Sequence, residues 1–227
     1  KTMEFQYRPG PVMANIVLAD EINRTSPKTQ SSLLEAMEER QLTVDGETRP
    51  LPQPFMVLAT QNPIEYEGTF PLPEAQLDRF LLRLEIGYPA PETEVEIIRA
   101  QEHGQHPLDS LEKVLAIDEL LAVQQEAAQI KLSDSLAAYI VELCNRTRNH
   151  PSLYLGASPR GSLGLVRTAK ALAWLRGRDY VLPDDIKTMA VPVLAHRVIL
   201  NPEEKLQGQT AQDVIRKIIN SVAVPTR

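Results

Sequence analysis

The sequence predicts an α/β fold in which a parallel sheet is followed by an all-α unit. Three observations carry this reading. Two unbroken apolar runs, Asn15-Ile16-Val17-Leu18-Ala19 and Phe55 to Thr60, each stop at polar residues, the pattern of strands buried on both faces of a parallel sheet. After residue 88 the apolar residues recur at helical spacing. Between the two regimes, Gly87-Tyr88-Pro89-Ala90-Pro91 holds two prolines that regular structure does not cross. This divides the 227 residues into 1–87 and 88–227.

In chain order, the first strand ends at Asp20-Glu21. Ser26 followed by Pro27 then starts a helix over roughly 27–40, with the hydroxyl as cap and proline at the first helical position. Leu33, Leu34, Ala36 and Met37 form its apolar stripe. Leu42-Thr43-Val44, Asp45-Gly46 and Glu47-Thr48 read as a hairpin, because Asp-Gly tolerates the positive φ of a tight turn. The second buried strand ends at Gln61-Asn62, a short helix spans about 73–78, and Leu81–Ile86 reads as a further strand. The second part predicts helices near 92–103, 117–128, 133–149, 158–177, 183–199 and 210–221, with Pro192 bending or interrupting the fifth. Both buried strands thus deliver polar residues at their C-terminal ends, the edge where ligands bind in open α/β sheets.

Composition excludes several classes. Apolar residues make up 43 % and charged residues 24 % of the chain, ordinary for a globular protein and unlike a disordered tail or a coiled-coil rod. No apolar run approaches the ~20 residues of a membrane helix. The single Cys144 has no internal disulfide partner, which implies a reducing, cytoplasmic setting. The net charge of −6 and pI near 5.3 argue against indiscriminate nucleic-acid binding. The acidity is concentrated in residues 1–87, with 8 Lys/Arg against 13 Asp/Glu, whereas residues 88–227 hold 16 against 17. The chain opens at Lys1 in a stretch that already reads as mid-domain, so it is expected to be a fragment.

Asp20-Glu21 has the form of a Walker B strand end. Strand alternation turns one carboxylate toward Mg²⁺ and its waters and the other toward an attacking water; two solvated acids at a strand end are the plainer alternative. Asn62 closes the second strand, where an amide holds a water or a γ-phosphate without adding charge; a simple turn asparagine is its alternative. Arg79, in Leu77-Asp78-Arg79-Phe80, presents a guanidinium to phosphate, or else pairs with Asp78. Arg160 stands out on electrostatic grounds. Ser158 caps the helix it opens and Pro159 takes the first position, so the cation lies in the first turn, against the helix macrodipole at a cost of ~0.3–1 kcal/mol. With the helix N-terminus it would make an anion site, and the alternative is a partnered surface arginine. None of the ten glycines is followed by Lys, so the chain holds no Walker A motif, and Gly156 to Ser162 lacks that Lys as well. Three features favour structural readings. His103 and His106 have no metal-ligating neighbours, Cys144 sits on an apolar stripe, and Arg167, Lys170, Arg176 and Arg178 read as a solvated face.

Taken together, Ala14 to Arg24, Ala59-Thr60-Gln61-Asn62-Pro63, Leu72-Pro73-Glu74-Ala75-Gln76-Leu77-Asp78-Arg79-Phe80 and Gly156-Ala157-Ser158-Pro159-Arg160-Gly161 resemble the MoxR family of AAA+ ATPases. The resemblance runs over essentially the whole chain, and the order and spacing of the four motifs make it specific. It is similar, more distantly, to magnesium-chelatase ATPase subunits. The resemblance implies a partial AAA+ P-loop NTPase core over 1–87 and a helical lid over 88–227. It implies that Asp20 serves the Mg²⁺ shell, Glu21 activates water, and Asn62 is sensor 1. Arg79 would be the arginine finger acting on nucleotide held by an adjacent protomer, and Arg160 would be sensor 2, reaching the same phosphates. Lys1–Pro11 would be the tail of a helix-2 insertion, and the hairpin at Asp45-Gly46 the insertion before sensor 1.

The implied cofactors are ATP and Mg²⁺, and the implied assembly is a homo-oligomeric ring, a hexamer. The implied work is chaperone-like maturation or cofactor insertion in a partner complex, often one carrying a von Willebrand factor A domain. The family's P-loop is expected upstream of Lys1, so the fragment alone is expected to be inactive. A non-enzymatic interaction scaffold is the rival reading. A nucleic-acid motor is a third, and the acidic balance and the 5 % aromatic content weigh against it.

Overall fold

The structure, a computed structural model, describes residues 7–62, 70–102 and 111–225. Pro63, His103, His106 and residues 1–6 of the expected insertion tail lie outside the described residues.

The chain enters through β1 (Ile16–Ala19), passes a 3-10 turn at Ile22–Arg24 and forms α1 (Pro27–Glu39). As expected, Ser26 caps α1, its hydroxyl accepting from Thr29 N at 3.3 Å with Pro27 at the helix start. Arg40, at φ 52°, ends it. β2 (Gln41–Val44) and β3 (Glu47–Pro50) make the expected hairpin; Asp45 and Gly46 take φ of 52° and 81°, as a two-residue turn between right-twisted strands requires. β4 (Met56–Ala59) pairs in parallel with β1, residue for residue from Ile16 beside Met56 to Ala19 beside Ala59.

Two expectations for this part are corrected. First, the β1–β4 pair is not buried on both faces. Ile16 and Leu18 are 57 and 65 % exposed, and their partners Met56 and Leu58 are 49 and 48 % exposed. No described element covers that side of the pleat. Second, Leu81–Ile86 is not a strand. After α2 (Glu74–Leu77) the chain stays irregular up to α3 (Pro91–Glu102), and the backbone groups a sheet ladder would use are taken elsewhere. Arg83 N donates to Pro192 O at 3.0 Å, and the carbonyls of Phe80 and Leu81 accept from Arg197.

The remaining chain forms α4 (Ile117–Gln129), α5 (Asp134–Arg148), β5 (Leu153–Leu155), α6 (Pro159–Leu175) and α7 (Pro183–Leu194). A 3-10 turn at Ala195–Arg197 leads to β6 (Ile199–Leu200), α8 (Pro202–Leu206) and α9 (Ala211–Ser221). The helix expected to reach residue 199 stops at Leu194, two residues past Pro192, which it accommodates. The sequence reading omits α8 and the short antiparallel ribbon of β5 and β6, with Leu153 beside Leu200. The core lies among α5, α6, α7 and α9, where Ile140, Leu143, Leu165, Ile186 and Ile215 are almost wholly buried. Cys144 belongs to it.

The basic run is more than a solvated face. Arg176 and Arg178 both donate to Asp185, a fully buried carboxylate that also accepts from Leu182 N at 2.8 Å and so anchors the start of α7. Burial alone would raise the Asp185 pKa, but the Arg178 bonds overcome it and leave the group below its ordinary value. Lys170 Nζ donates to Ala128 O at 2.9 Å, while Arg167 is exposed.

Candidate functional site

The C-terminal edge of the β1–β4 pair brings Asp20, Glu21, Thr60 and Asn62 together. Thr60 is the hinge of this cluster. Its hydroxyl donates to Asp20 Oδ1 at 2.6 Å and accepts from Glu21 N at 2.8 Å, while Thr60 O accepts from Ile22 N at 3.0 Å. Asn62 Nδ2 lies 3.5 Å from Glu21 Oε1, and Arg24 Nη1 lies 3.0 Å from Glu21 Oε2. Asn23 Nδ2 donates to Asn62 O at 3.3 Å, tying the ends of both strands together.

Glu21 has a left-handed backbone, φ 48° and ψ 51°. For a residue with a Cβ this is on the order of 1–3 kcal/mol uphill and persists only where the surroundings over-determine it. They do so here. Gln30, 2 % exposed on α1, donates through Nε2 to Ile22 O, Thr25 O and Phe70 O, and Phe70 N returns a bond to Asn23 O at 2.6 Å. The strained turn directs the Glu21 side chain to Asn62 and Arg24 while Asp20 stays with Thr60. The two neighbouring carboxylates thus have separate partners, and separate roles for them follow chemically.

Arg79 and Arg160 form a second cluster. Both guanidiniums pair with the same carboxylate, Glu38: Arg79 with Oε2 and Arg160 with Oε1. All three side chains are between 36 and 40 % exposed, so the group is accessible to a ligand. Asp78, the alternative partner for Arg79, is committed elsewhere. It accepts from Ser158 Oγ at 2.8 Å and lies 3.1 Å from Arg197 Nε. Ser158 caps α6 as expected, accepting from Arg160 N at 3.1 Å. The cation in the first turn of α6 therefore has its compensation in Glu38, across 122 residues of sequence.

The clusters lie at opposite ends of α1. Glu21 and Asn62 adjoin the turn before Ser26, and Glu38 is in the last turn, about 18 Å along the axis at 1.5 Å per residue. Asp20, Glu21 and Asn62 are brought together and Arg79 joins Arg160, but the two groups stay apart. Thr60, Gln30, Glu38 and Arg197 are the residues that the sequence reading missed. Thr60 lies inside a quoted motif, and Gln30 follows the cap of α1 by four residues. Nothing local marks Glu38 or Arg197. Among the described residues, no group of three or more His, Cys, Asp or Glu gathers as a metal site, and no helix is long and apolar enough to cross a membrane.

Residues 1–82 match a model described as the ATPase family associated with various cellular activities (AAA), and residues 145–218 match one described as an AAA lid domain. A Bacillus subtilis (strain 168) protein named YeaC is 56 % identical over 227 residues, covering all of this chain and 71 % of its own length. Chaperone MoxR1 of Mycobacterium tuberculosis is 44 % identical over 231 aligned positions, covering 98 % of this chain and 60 % of its own. A crystal structure of a candidate ATPase from Cytophaga hutchinsonii superposes with a TM-score of 0.91 at 41 % identity, over 96 % of this chain and 69 % of that one. The chain thus spans about three fifths to seven tenths of the length of these relatives.

Proposed function

The chain belongs to the MoxR family of AAA+ ATPases, and on that premise we propose that it is the Walker B-to-lid portion of an ATPase whose active site is completed between subunits. The observation that supports this is the separation of the two clusters by the length of α1. Arginines gathered at the far end of α1 from their own carboxylates are suited to the nucleotide of a neighbour. Arg79 serves as the arginine finger, neutralising charge that develops on the transferred phosphoryl group. Arg160, on the same carboxylate, contacts the phosphates of that same neighbouring site, so sensor 2 works beside the finger rather than beside its own Glu21. Glu38 keeps the two cations side by side until phosphate replaces it.

On the carboxylate side, Glu21 orients and deprotonates the attacking water, and Asn62 holds that water at the γ-phosphate. Asp20 fits Mg²⁺. The ion takes hard oxygen ligands and is usually held by one or two carboxylates, with waters and phosphates filling its shell. Mg²⁺ would neutralise charge on the bridging phosphate oxygens when bound with ATP. The assembly is proposed as a homo-oligomeric ring, a hexamer on the family resemblance: a finger given to one neighbour while another is received makes a head-to-tail interface, which forms a ring where its rotation closes. The relative named a chaperone supports a chaperone-like role; we propose that this role is maturation or cofactor insertion in a partner complex, with a von Willebrand factor A-domain protein as the partner. The setting is cytoplasmic.

The test is Mg-ATP binding and hydrolysis by the chain extended upstream to include a P-loop. Glu21→Gln should retain binding and lose turnover. Arg79→Ala should spare binding and lower kcat by roughly 10³-fold or more. Undiminished hydrolysis in Arg79→Ala removes the finger assignment. Absence of ATP binding in every form points instead to a scaffold that docks a partner without chemistry.

A further inference from the structure

The segment that carries Arg79 is gripped by the helical part of the molecule at several points of its backbone, most of them made by one buried side chain. Arg197 lies in the 3-10 turn after α7, and its side chain is only 2 % exposed. Its Nη2 donates to Asp78 O at 3.2 Å and to Phe80 O at 2.6 Å, its Nη1 donates to Leu81 O at 3.2 Å, and its Nε faces Asp78 Oδ1 at 3.1 Å. Nη1 also bonds Val193 O at the end of α7. The residue before Arg79 and the two after it are thus all tied to one guanidinium. Neutralising Asp78 would need a charge alone; fixing three carbonyls on the two sides of Arg79 needs the planar fork that arginine has and lysine lacks.

The surroundings keep room for this fork. A Cβ on Gly164 of α6 would meet Val193 Cγ1 at 3.0 Å, Leu81 Cδ1 at 3.6 Å and Arg197 Nη2 at 3.9 Å. Further contacts fasten the same segment to the helices: Arg83 N donates to Pro192 O at 3.0 Å, Ser158 Oγ to Asp78 Oδ2 at 2.8 Å, and His196 Nε2 lies 3.0 Å from Phe80 O. Arg79 is tied back to α1 through the exposed Glu38 pair.

We infer that Arg197 is a positioning residue for Arg79: it fixes the backbone on both sides of the finger to the end of α7, so the finger travels with the helices and not with its own sheet. This rests on the reading of Arg79 as a finger acting on a neighbour, and the experiment separates the two. In the upstream-extended protein, Arg197→Lys keeps a charge opposite Asp78 while losing the fork. ATP binding should stay as in the unmodified protein, and kcat should fall by roughly 10². The decisive readout is mixing. Glu21→Gln subunits have a dead pocket and a sound finger, and Arg197→Lys subunits have the reverse. An equimolar mixture of these two weak proteins should recover about a quarter of full turnover, the share of interfaces where sound pocket meets sound finger.

Mixing Arg79→Ala with Glu21→Gln is the control. Recovery there without recovery for Arg197→Lys overturns the role of Arg197 and leaves the finger standing. Recovery in neither overturns the finger itself, and full activity of Arg197→Lys alone also overturns the inference. If Arg197→Lys fails to melt cooperatively, the paired change Asp78→Asn with Arg197→Met removes both charges together and strands neither. The same mixture then decides, with the same outcomes.

Discussion

His196 sits against Arg197 at the point where the finger segment meets α7, and its protonation bears on that contact. Its Nε2 lies 3.0 Å from Phe80 O and 2.7 Å from Arg197 Nη1. Burial, and then the neighbouring guanidinium, push its pKa down from the ordinary value near 6.5 to about 4. The folded state therefore favours the neutral ring, and the unfolded chain takes up a proton first as pH falls. The stability this contributes is complete above about pH 6.5 and is lost progressively toward pH 4, to the extent of about 3 kcal/mol. Thermal denaturation across that window should show the melting temperature falling, and His196→Gln should flatten the slope. An unchanged slope in the variant would assign the acid sensitivity to other groups. At this scale the sequence is legible where a residue's place in an element carries its meaning. Asp20, Glu21 and Asn62 follow apolar strands, and Arg160 follows a cap. Glu38 is one of three acids at the end of a helix, and Arg197 sits between a histidine and an apolar run. Glu38 pairs across 41 and 122 residues, and Arg197 reaches the finger segment across 116 to 119, so no local pattern reveals them.

Elements with chemical punctuation were the readable ones. Ser26-Pro27 and Ser158-Pro159 mark helix starts that the structure keeps, and Asp45-Gly46 marks its hairpin. Leu81–Ile86 was misread because an apolar, extended stretch has the same composition whether it joins a sheet or lies against helices; Arg83 and Arg197 decide between the two. β5, β6 and α8 are 3, 2 and 5 residues long and too short for periodicity to register. The junction of α5 and α6 depends on Gly156. A Cβ there would lie 2.4 Å from Arg148 Cα and 2.5 Å from Arg148 N, both backbone atoms. The same crossing lets Ala157 N donate to the buried Thr147 hydroxyl at 2.9 Å and Ala157 O accept from Arg148 Nε at 2.9 Å. Gly156→Ala should therefore destabilise the chain by about 1–3 kcal/mol in chemical denaturation. Gly46→Ala would meet no atom within 4 Å and would be penalised only by its φ of 81°. Equal losses at the two positions would mean that the close approach at Gly156 relaxes freely.

For the whole molecule, the proposed site is divided twice: between subunits, and between the 227 residues and a P-loop they do not contain. A P-loop backbone and its lysine supply most of the hydrogen bonds and charge that a triphosphate receives. The carboxylates of Asp20 and Glu21 would face phosphate poorly neutralised without them. Isothermal titration of the 227-residue chain with Mg-ATP is therefore expected to show neither tight binding nor turnover, and a micromolar dissociation constant would overturn this. The exposed side of the β1–β4 pair, with Ile16, Leu18, Met56 and Leu58, gives the same chain an apolar patch, so its behaviour in isolation reports on that patch as well as on ring contacts.

The attachment of residues 78–83 to the end of α7 also sets a rule for anyone building hybrids of this protein. A transplant of the helices that begins at the proline pair Pro89 and Pro91 would leave behind the stretch those helices grip. It would strand Arg197 in the graft without the carbonyls of Asp78, Phe80 and Leu81, and leave Asp78 in the host without its Arg197 partner. A graft that begins near Leu72, which is itself buried, carries the guanidinium of Arg79 along with its anchor.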